Sequence, residues 1–234
     1  LEDAQVALVA VHGRGSDAEQ FMDRLEAILG AEDGRQAARV ALLAVQAEDR
    51  SWYPKGFLAA ETENGPQLES ALAKVEAALG HAAAALGPER VVVAGFSQGA
   101  CLALTAAGEW HRKGGSNLGG VAAFSGALSG DTLDAHLPER MEGQRIVLRG
   151  ARDDEWVPTD RLVASAEALI ARGARLDFAV EAGAAHAISE TSKQKLRGLV
   201  ASARAGALPA VYRPGDTLTY QTGFRATMQS EAPP

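Results

Sequence analysis

The sequence feature with the clearest chemical meaning is a serine between two glycines, Gly95-Phe96-Ser97-Gln98-Gly99. It follows the apolar run Val91-Val92-Val93-Ala94 and precedes a run at 100–104 that is typical of a helix. A strand, a sharp turn and a helix in this order lift a serine hydroxyl above the edge of a sheet. The positive end of the helix then faces any negative charge that develops there. We therefore predict that Ser97 is a nucleophile.

A serine hydroxyl is a weak nucleophile and needs a base, which a third group must hold in place. When the serine lies on such a turn, the chain order is serine, acid, histidine. Four of the five histidines come too early, before Ser97 or before the acid candidates: His12, His81, His111 and His136. This leaves His186, on the loop after a predicted strand, as the base.

The candidate acids are three consecutive residues, Asp153-Asp154-Glu155, which follow the predicted strand at 145–148. Ligand and catalytic groups gather at the carboxyl ends of parallel strands, so this loop is correctly placed. At least one of the three acids is expected to be solvated and to cap the next helix. We favour Asp154 as the residue that orients His186, with Asp153 as the alternative and Glu155 as the least favoured.

Acyl transfer also needs hydrogen-bond donors for the negative charge on the carbonyl oxygen. The backbone N–H of Gln98, directly after the serine, is one expected donor. The second is expected from the glycine-containing loop His12-Gly13-Arg14-Gly15, where we favour the N–H of Arg14. His12 is then predicted to orient this loop. The loop lacks the Gly-Lys-Ser/Thr ending of a phosphate-binding loop, so nucleotide binding is not indicated.

Taken together, these motifs resemble the phospholipase/carboxylesterase family, the compact branch of the α/β hydrolases that includes bacterial carboxylesterases and acyl-protein thioesterases. The motifs that carry the resemblance are His12-Gly13-Arg14-Gly15, Ser51-Trp52-Tyr53-Pro54, Gly95-Phe96-Ser97-Gln98-Gly99, Asp154-x-x-Val157-Pro158 and His186. The resemblance covers about residues 6–203. It implies a Ser97, Asp154 and His186 triad with oxyanion donors on Arg14 and Gln98. Two departures are a looser segment between Gly150 and the aspartate, and Ala100 where the family often has glycine.

Short apolar runs alternate with longer runs of helix-forming residues, which predicts βα units around a mostly parallel sheet with helices on both faces. The predicted strands are 5–11, 39–45, 90–94, 120–124, 145–148 and 175–180. The predicted helices are 17–29, 67–86, one that begins near Pro158 and ends before Gly173, and 188–205. This is the fold class that the resemblance implies, a compact α/β hydrolase.

The connection at 125–144 is too short for a helical cap domain, which predicts an open site without a cap. Four aromatic residues on nearby loops are expected to contact substrate or to pack beneath a loop: Trp52, Tyr53, Phe57 and Trp156. Cys101, the one cysteine, is predicted to be a small buried apolar residue.

The chain is expected to divide into a catalytic domain at 1–206 and a C-terminal extension at 207–234, which contains four prolines. Within the extension, the alternating segment Thr217–Thr222 is interpreted as an edge strand or as an arm that pairs across a homodimer.

Composition excludes several classes of protein. The chain has 234 residues with 23 Lys+Arg and 30 Asp+Glu, a net charge of −7, and no basic block suited to nucleic acid. No apolar run reaches the roughly 18–20 residues of a membrane span. A single cysteine excludes intrachain disulfides and multi-cysteine metal sites, and no metal or cofactor is implied. We expect a soluble, cytoplasmic domain.

The sequence therefore predicts a serine carboxylesterase that cleaves small or short-to-medium acyl esters through an acyl-enzyme intermediate. A lysophospholipase or an acyl thioesterase with the same triad is the alternative. A noncatalytic binding protein of the same fold is less favoured, because binding does not require an activated serine.

Overall fold

The computed structural model describes residues 1, 3–30, 39–183, 185–205, 217–221 and 225–229, the last two ranges by their backbone. Six parallel strands form the central sheet in the order β2-β1-β3-β4-β5-β6. The strands are β1 (Val6–Val11), β2 (Val40–Val45), β3 (Val91–Phe96), β4 (Gly120–Phe124), β5 (Arg145–Ala151) and β6 (Arg175–Glu181). The four strands inside the sheet, β1, β3, β4 and β5, are fully buried apart from Phe96, as parallel strands covered on both faces require.

Within the described ranges, five α-helices cover the two faces of this sheet. The helices are α1 (Ala18–Gly30), α2 (Glu61–Leu86), α3 (Gln98–Arg112), α4 (Thr159–Ala171) and α5 (Glu190–Ala205). Leu25 of α1 and Leu196 of α5 are buried in the apolar cluster on one face. Leu79 of α2, Leu102 of α3 and Leu162 of α4 belong to the cluster on the other face. The predicted α/β architecture is confirmed.

Three boundaries differ from the prediction for local reasons. Helix α2 begins at Glu61 rather than near residue 67, because a separate turn precedes a break at Gly65. Strand β5 continues to Ala151, since its pairing with β6 extends to Ala151 opposite Glu181. Helix α5 begins at Glu190 rather than at residue 188. The Ser189 hydroxyl accepts the backbone N–H of Ser192 there, which fixes the first turn.

The connection between β4 and β5, residues 125–144, contains neither helix nor strand, so no cap domain is inserted there. In the extension, β7 (Thr217–Gln221) and β8 (Arg225–Gln229) form an antiparallel hairpin, and β8 lies near β6. The predicted strand thus pairs with a neighbouring segment of its own chain. Residues 206–216, 222–224 and 230–234, Thr222 among them, lie outside the described residues, and pairing across a dimer stays a prediction. In the described part of the chain, no helix is long and apolar enough to cross a membrane.

Candidate active site

Ser97 lies on the turn between β3 and α3 with a backbone φ of 54°. Its N–H donates to the carbonyl of Phe124 at 2.9 Å, which fixes the turn on the next strand. A Cβ on Gly95 would lie 2.2 Å from the Gly99 carbonyl oxygen, and a Cβ on Gly99 would lie 2.1 Å from the Val11 carbonyl oxygen. Both positions therefore require glycine, because the neighbouring backbone leaves no room for a side chain.

His186 joins Ser97 to Asp154 through hydrogen bonds of normal length. The Oγ of Ser97 is 2.8 Å from Nε2 of His186, and Nδ1 of His186 is 2.8 Å from Oδ2 of Asp154. The Asp154 side chain is fully buried, whereas the His186 side chain is 20% exposed. Oδ1 of Asp154 also accepts the N–H groups of Trp156 and Val157 at 2.9 and 3.2 Å. The carboxylate is thus held on both oxygens, and it favours the tautomer with hydrogen on Nδ1.

The other two acids of this loop are exposed to solvent. Neither Asp153 nor Glu155 caps α4, which begins after Pro158 without a side-chain cap. The backbone N–H of Asp153 instead donates to the Gly183 carbonyl at 3.0 Å. The expected helix cap is therefore not observed, and Asp153 fastens the aspartate loop to the loop that carries His186.

The two proposed oxyanion donors border the same space as Ser97. Gln98 is the first residue of α3, so its N–H has no acceptor within the helix. In the part of the chain that the structure describes, neither this N–H nor that of Arg14 donates to a protein group. Both N–H groups can therefore donate to a carbonyl oxygen.

The side chains of Arg14 and Gln98 have a second role that sequence reasoning missed. The Gln98 amide accepts the N–H of Trp52 at 3.0 Å and donates to the Tyr53 carbonyl at 2.8 Å. The Arg14 guanidinium donates to the carbonyls of Tyr53, Pro54 and Lys55 at 2.6–2.9 Å. Each residue that offers a backbone donor also clamps the segment at 52–55. No spacing rule in the sequence indicates these contacts, because the residues are 39–46 positions apart.

His12 is buried at the start of the loop at 12–15, and its hydrogen bonds connect that loop to Ala47 and Trp52. Its Nδ1 lies 2.7 Å from the Gly13 carbonyl, and its Nε2 accepts the N–H of Ala47 at 3.2 Å. The carbonyl of His12 accepts the indole N–H of Trp52 at 2.7 Å. Burial lowers the pKa of His12, so the imidazole that makes these bonds is neutral.

A cavity of about 460 Å³ opens around the Ser97 hydroxyl. Its lining residues are Arg14, Tyr53, Lys55, Gly56, Phe57, Ser97, Gln98, Cys101, Trp156, Val157 and His186. Trp156, 65% exposed, stands at the rim, whereas Tyr53 and Cys101 are buried in the wall. Trp52 is buried behind the loop and does not line this cavity. Burial raises the pKa of Cys101 to about 11, which keeps the thiol protonated.

A second serine that sequence reasoning missed supports the histidine loop. Ser125 follows β4 with a φ of 50°, and its hydroxyl donates to the Ala187 carbonyl at 3.3 Å. A Cβ on the next residue, Gly126, would lie 2.6 Å from the Cβ of Ala100. Because Gly126 has no side chain, there is room for Ala100, at the position where the sequence departs from the family that it resembles. The Phe-Ser pair at 96–97 recurs at 124–125, and this repetition is the feature of the sequence that could have indicated Ser125.

The parallel sheet and the serine turn after its third strand in the chain define an α/β-hydrolase fold. Residues 2–202 match the phospholipase/carboxylesterase family. The chain belongs to this family, as its motifs predicted, and membership supports an ester hydrolase.

Solved structures agree with this assignment. A phospholipase/carboxylesterase from Dyadobacter fermentans is 31% identical, with a TM-score of 0.74 over 86% of this chain and 91% of the other. SOBER1 of Arabidopsis thaliana, 20% identical, has a TM-score of 0.68 over 85% and 98% of the two chains. A carboxylesterase from Mesorhizobium loti, 19% identical, has a TM-score of 0.61 over 86% and 90%. The last two show a shared fold. No curated protein matches this chain.

Proposed function

We propose that this protein is a serine carboxylesterase in which Ser97 is the nucleophile, His186 the base and Asp154 the residue that orients it. The observation that carries the proposal is the continuous hydrogen-bonded path from the Ser97 hydroxyl through His186 to the buried Asp154 carboxylate. This arrangement is the one that activates a serine for acyl transfer.

In the first half of the proposed reaction, Nε2 of His186 takes the proton of Ser97 as Oγ attacks the ester carbonyl carbon. The charge on the carbonyl oxygen is accepted by the backbone N–H groups of Arg14 and Gln98. The tetrahedral intermediate then collapses, the bond to the alcohol oxygen breaks, and His186 gives its proton to the leaving alcohol. Asp154 stabilises the imidazolium that exists between these two transfers.

In the second half, a water molecule takes the place of the alcohol. His186 removes a proton from the water as it attacks the acyl-enzyme carbonyl, and the same two N–H groups accept the charge. Collapse of this intermediate releases the carboxylic acid and returns the proton to Oγ of Ser97. Both halves therefore use the imidazole of His186 first as base and then as acid.

The cavity supports small or short-to-medium acyl esters as substrates. Its volume of about 460 Å³ is at the lower end of the range for small-molecule sites. Tyr53, Phe57 and Trp156 provide apolar surface for the substrate, and Trp52 supports the loop from behind. Because the connection at 125–144 holds no cap, a substrate reaches Ser97 from solvent.

Labelling with a fluorophosphonate probe, followed by peptide mass spectrometry, tests the nucleophile. We expect stoichiometric modification of Ser97. A wild-type protein that remains unlabelled and hydrolyses none of the esters supplied would instead be a noncatalytic binding protein, and the proposal would be wrong.

The values of kcat/KM for oxygen esters, thioesters and lysolipids of graded chain length test the substrate class. The carboxylesterase proposal expects the highest value for an oxygen ester with a short or medium acyl chain. A higher value for thioesters or long-chain lysolipids would identify the alternative activities that use the same triad.

A further inference from the structure

A second cavity, of about 380 Å³, opens between α1 and α5 beside the histidine loop. Its lining residues are Arg24, Ala27, Ile28, Ala187, Ile188, Glu190, Lys193 and Arg197. Because Ala187 and Ile188 follow His186 directly in the chain, this cavity begins beside the proposed catalytic base. We refer to it as the α1/α5 groove. None of its lining residues takes part in the mechanism proposed above.

The charge of the α1/α5 groove is opposite to that of the whole chain. Three cations and one carboxylate line it, whereas the protein carries a net charge of −7. The carboxylate of Glu190 lies 3.1 Å from Lys193 and 3.2 Å from Arg197. Arg24 makes no ion pair among the described residues. The groove therefore retains positive charge that its own carboxylate does not neutralise.

Arg24 is linked to the catalytic histidine through one aromatic ring. Its guanidinium carbon lies 5.8 Å from the centre of the Phe96 ring, and that ring lies 5.1 Å from the ring of His186. The cation–π contact holds the guanidinium against the same ring that His186 contacts. Phe96 and the residues directly after His186 thus connect the groove to the proposed catalytic base.

We propose that the α1/α5 groove binds an anionic group, a phosphate or a carboxylate, carried by the leaving alcohol of the substrate. This inference rests on the proposed function and adds to it the chemical class of the alcohol. Arg24 and Lys193 supply charge-assisted hydrogen bonds to such an anion. Ala27 and Ile28 provide apolar surface for the carbon atoms between the anion and the ester.

Two esters with the same acyl group provide a matched test. The first is 1-butyryl-glycerol 3-phosphate and the second is monobutyrin, which differs by lacking the phosphate. We expect kcat/KM for the phosphate ester to be higher by about tenfold at low ionic strength, and the difference to shrink in about 0.5 M salt because screening weakens exposed charge interactions. Equal values for the two esters at low salt would overturn the proposal.

Charge-removing variants locate the effect. Arg24→Gln and Lys193→Gln are each expected to lower kcat/KM for the phosphate ester by about three- to tenfold, and to leave monobutyrin hydrolysis unchanged. Lys113→Gln is the control, because Lys113 pairs with Glu76 away from the groove and loses a charge of the same kind. If all three variants lower the phosphate preference equally, the groove is not the binding site.

Two further measurements separate the possible outcomes. Glycerol 3-phosphate, the product alcohol, is expected to inhibit monobutyrin hydrolysis competitively in wild type and more weakly in Arg24→Gln. If Ser97 is labelled and monobutyrin is cleaved without any phosphate preference, the groove proposal fails and the proposed function stands. If Ser97 is unlabelled and neither ester is cleaved, the proposed function fails as well.

Palmitoyl-glycerol 3-phosphate, compared with the butyryl ester, distinguishes a lipid headgroup from a soluble phosphate ester as the natural source of the anion.

Discussion

Two neighbouring strands of the sheet end in the same way, but the serines that follow them have different surroundings. Strand β3 leads into Phe96-Ser97 and β4 into Phe124-Ser125, and both serines have a backbone φ near 50°. The Ser97 hydroxyl faces Nε2 of His186 at 2.8 Å, whereas the Ser125 hydroxyl faces the Ala187 carbonyl at 3.3 Å. A strained serine at a strand end is therefore not by itself a nucleophile.

The two serines differ in the segment that each one begins. Ser97 leads into α3, so the helix N-terminus and the Gln98 N–H lie where they can donate to the carbonyl oxygen of a group that Ser97 would attack. Ser125 leads into a connection without regular structure and is 1% exposed. We therefore expect Ser97 to be reactive and Ser125 not to be, because only Ser97 combines the turn with a helix N-terminus, a base and access to the cavity.

The largest effect is expected from removing the two hydroxyls in turn. Ser97→Ala should lower kcat by about 10⁴- to 10⁶-fold, as loss of a triad nucleophile does. It should also abolish fluorophosphonate labelling. Ser125→Ala should still be labelled at Ser97. Labelling that persists in Ser97→Ala and disappears in Ser125→Ala would reverse the roles that we assign to the two serines.

The next effect concerns the acid that orients His186. Asp154→Asn should lower kcat by about 10³- to 10⁴-fold, because the amide favours the wrong imidazole tautomer. The matched control is Asp153→Asn, which should change kcat by less than about threefold, since Asp153 is an exposed side chain. Steady-state kinetics on one short-chain ester measures both. A larger loss in Asp153→Asn would restore the alternative that the sequence left open.

The turn of Ser97 should tolerate no side chain at its glycines. Gly99→Ala places a Cβ 2.1 Å from the Val11 carbonyl oxygen. We expect it to lower the free energy of unfolding by about 3 kcal/mol or more, because backbone of both β1 and α3 must move. Gly198→Ala is the control: it lies within α5 with open space around it and should stabilise the protein by about 0.5–1 kcal/mol. Urea denaturation measures both, and equal stabilities would contradict the packing argument.

The smallest effect is expected for the Ser125 hydroxyl as a positioning group. Ser125→Ala removes one hydrogen bond to the loop that carries His186, which corresponds to about 1 kcal/mol or a loss of about fivefold. The loss should fall on kcat rather than on KM, because Ser125 supports the loop of the base and does not line the substrate cavity. An unchanged kcat with a lowered melting temperature would assign Ser125 a purely structural role.

Much of the fold was predictable because burial on both faces imposes a recognisable composition on parallel strands. Each predicted strand of the central sheet is present within a few residues. The boundary errors occurred where tertiary contacts extend or interrupt an element, as at Ala151, which continues β5 by pairing with β6. The hairpin partner of β7 was not predicted either, since the sequence at 225–229 lacks the strong apolar alternation of a strand.

Residue types and chain order were enough to predict the residues of the proposed triad. The glycines on both sides of Ser97 indicate that other backbone segments pass close to the turn. Chain order alone favours His186 among the five histidines. Both are properties of the chain itself, so they are readable without coordinates.

Packing in three dimensions settled which of the competent residues meet. It brings the carboxylate of Asp154 to His186 and leaves Asp153 exposed. It also joins the loop at 52–55 to Arg14 and Gln98 through hydrogen bonds. Finally, it places Arg24 of α1 beside the Phe96 ring. The residues in each contact are distant in sequence, and the two aspartates that had to be distinguished are adjacent on one loop. Neither spacing nor composition records them, because they depend on how whole elements pack against one another.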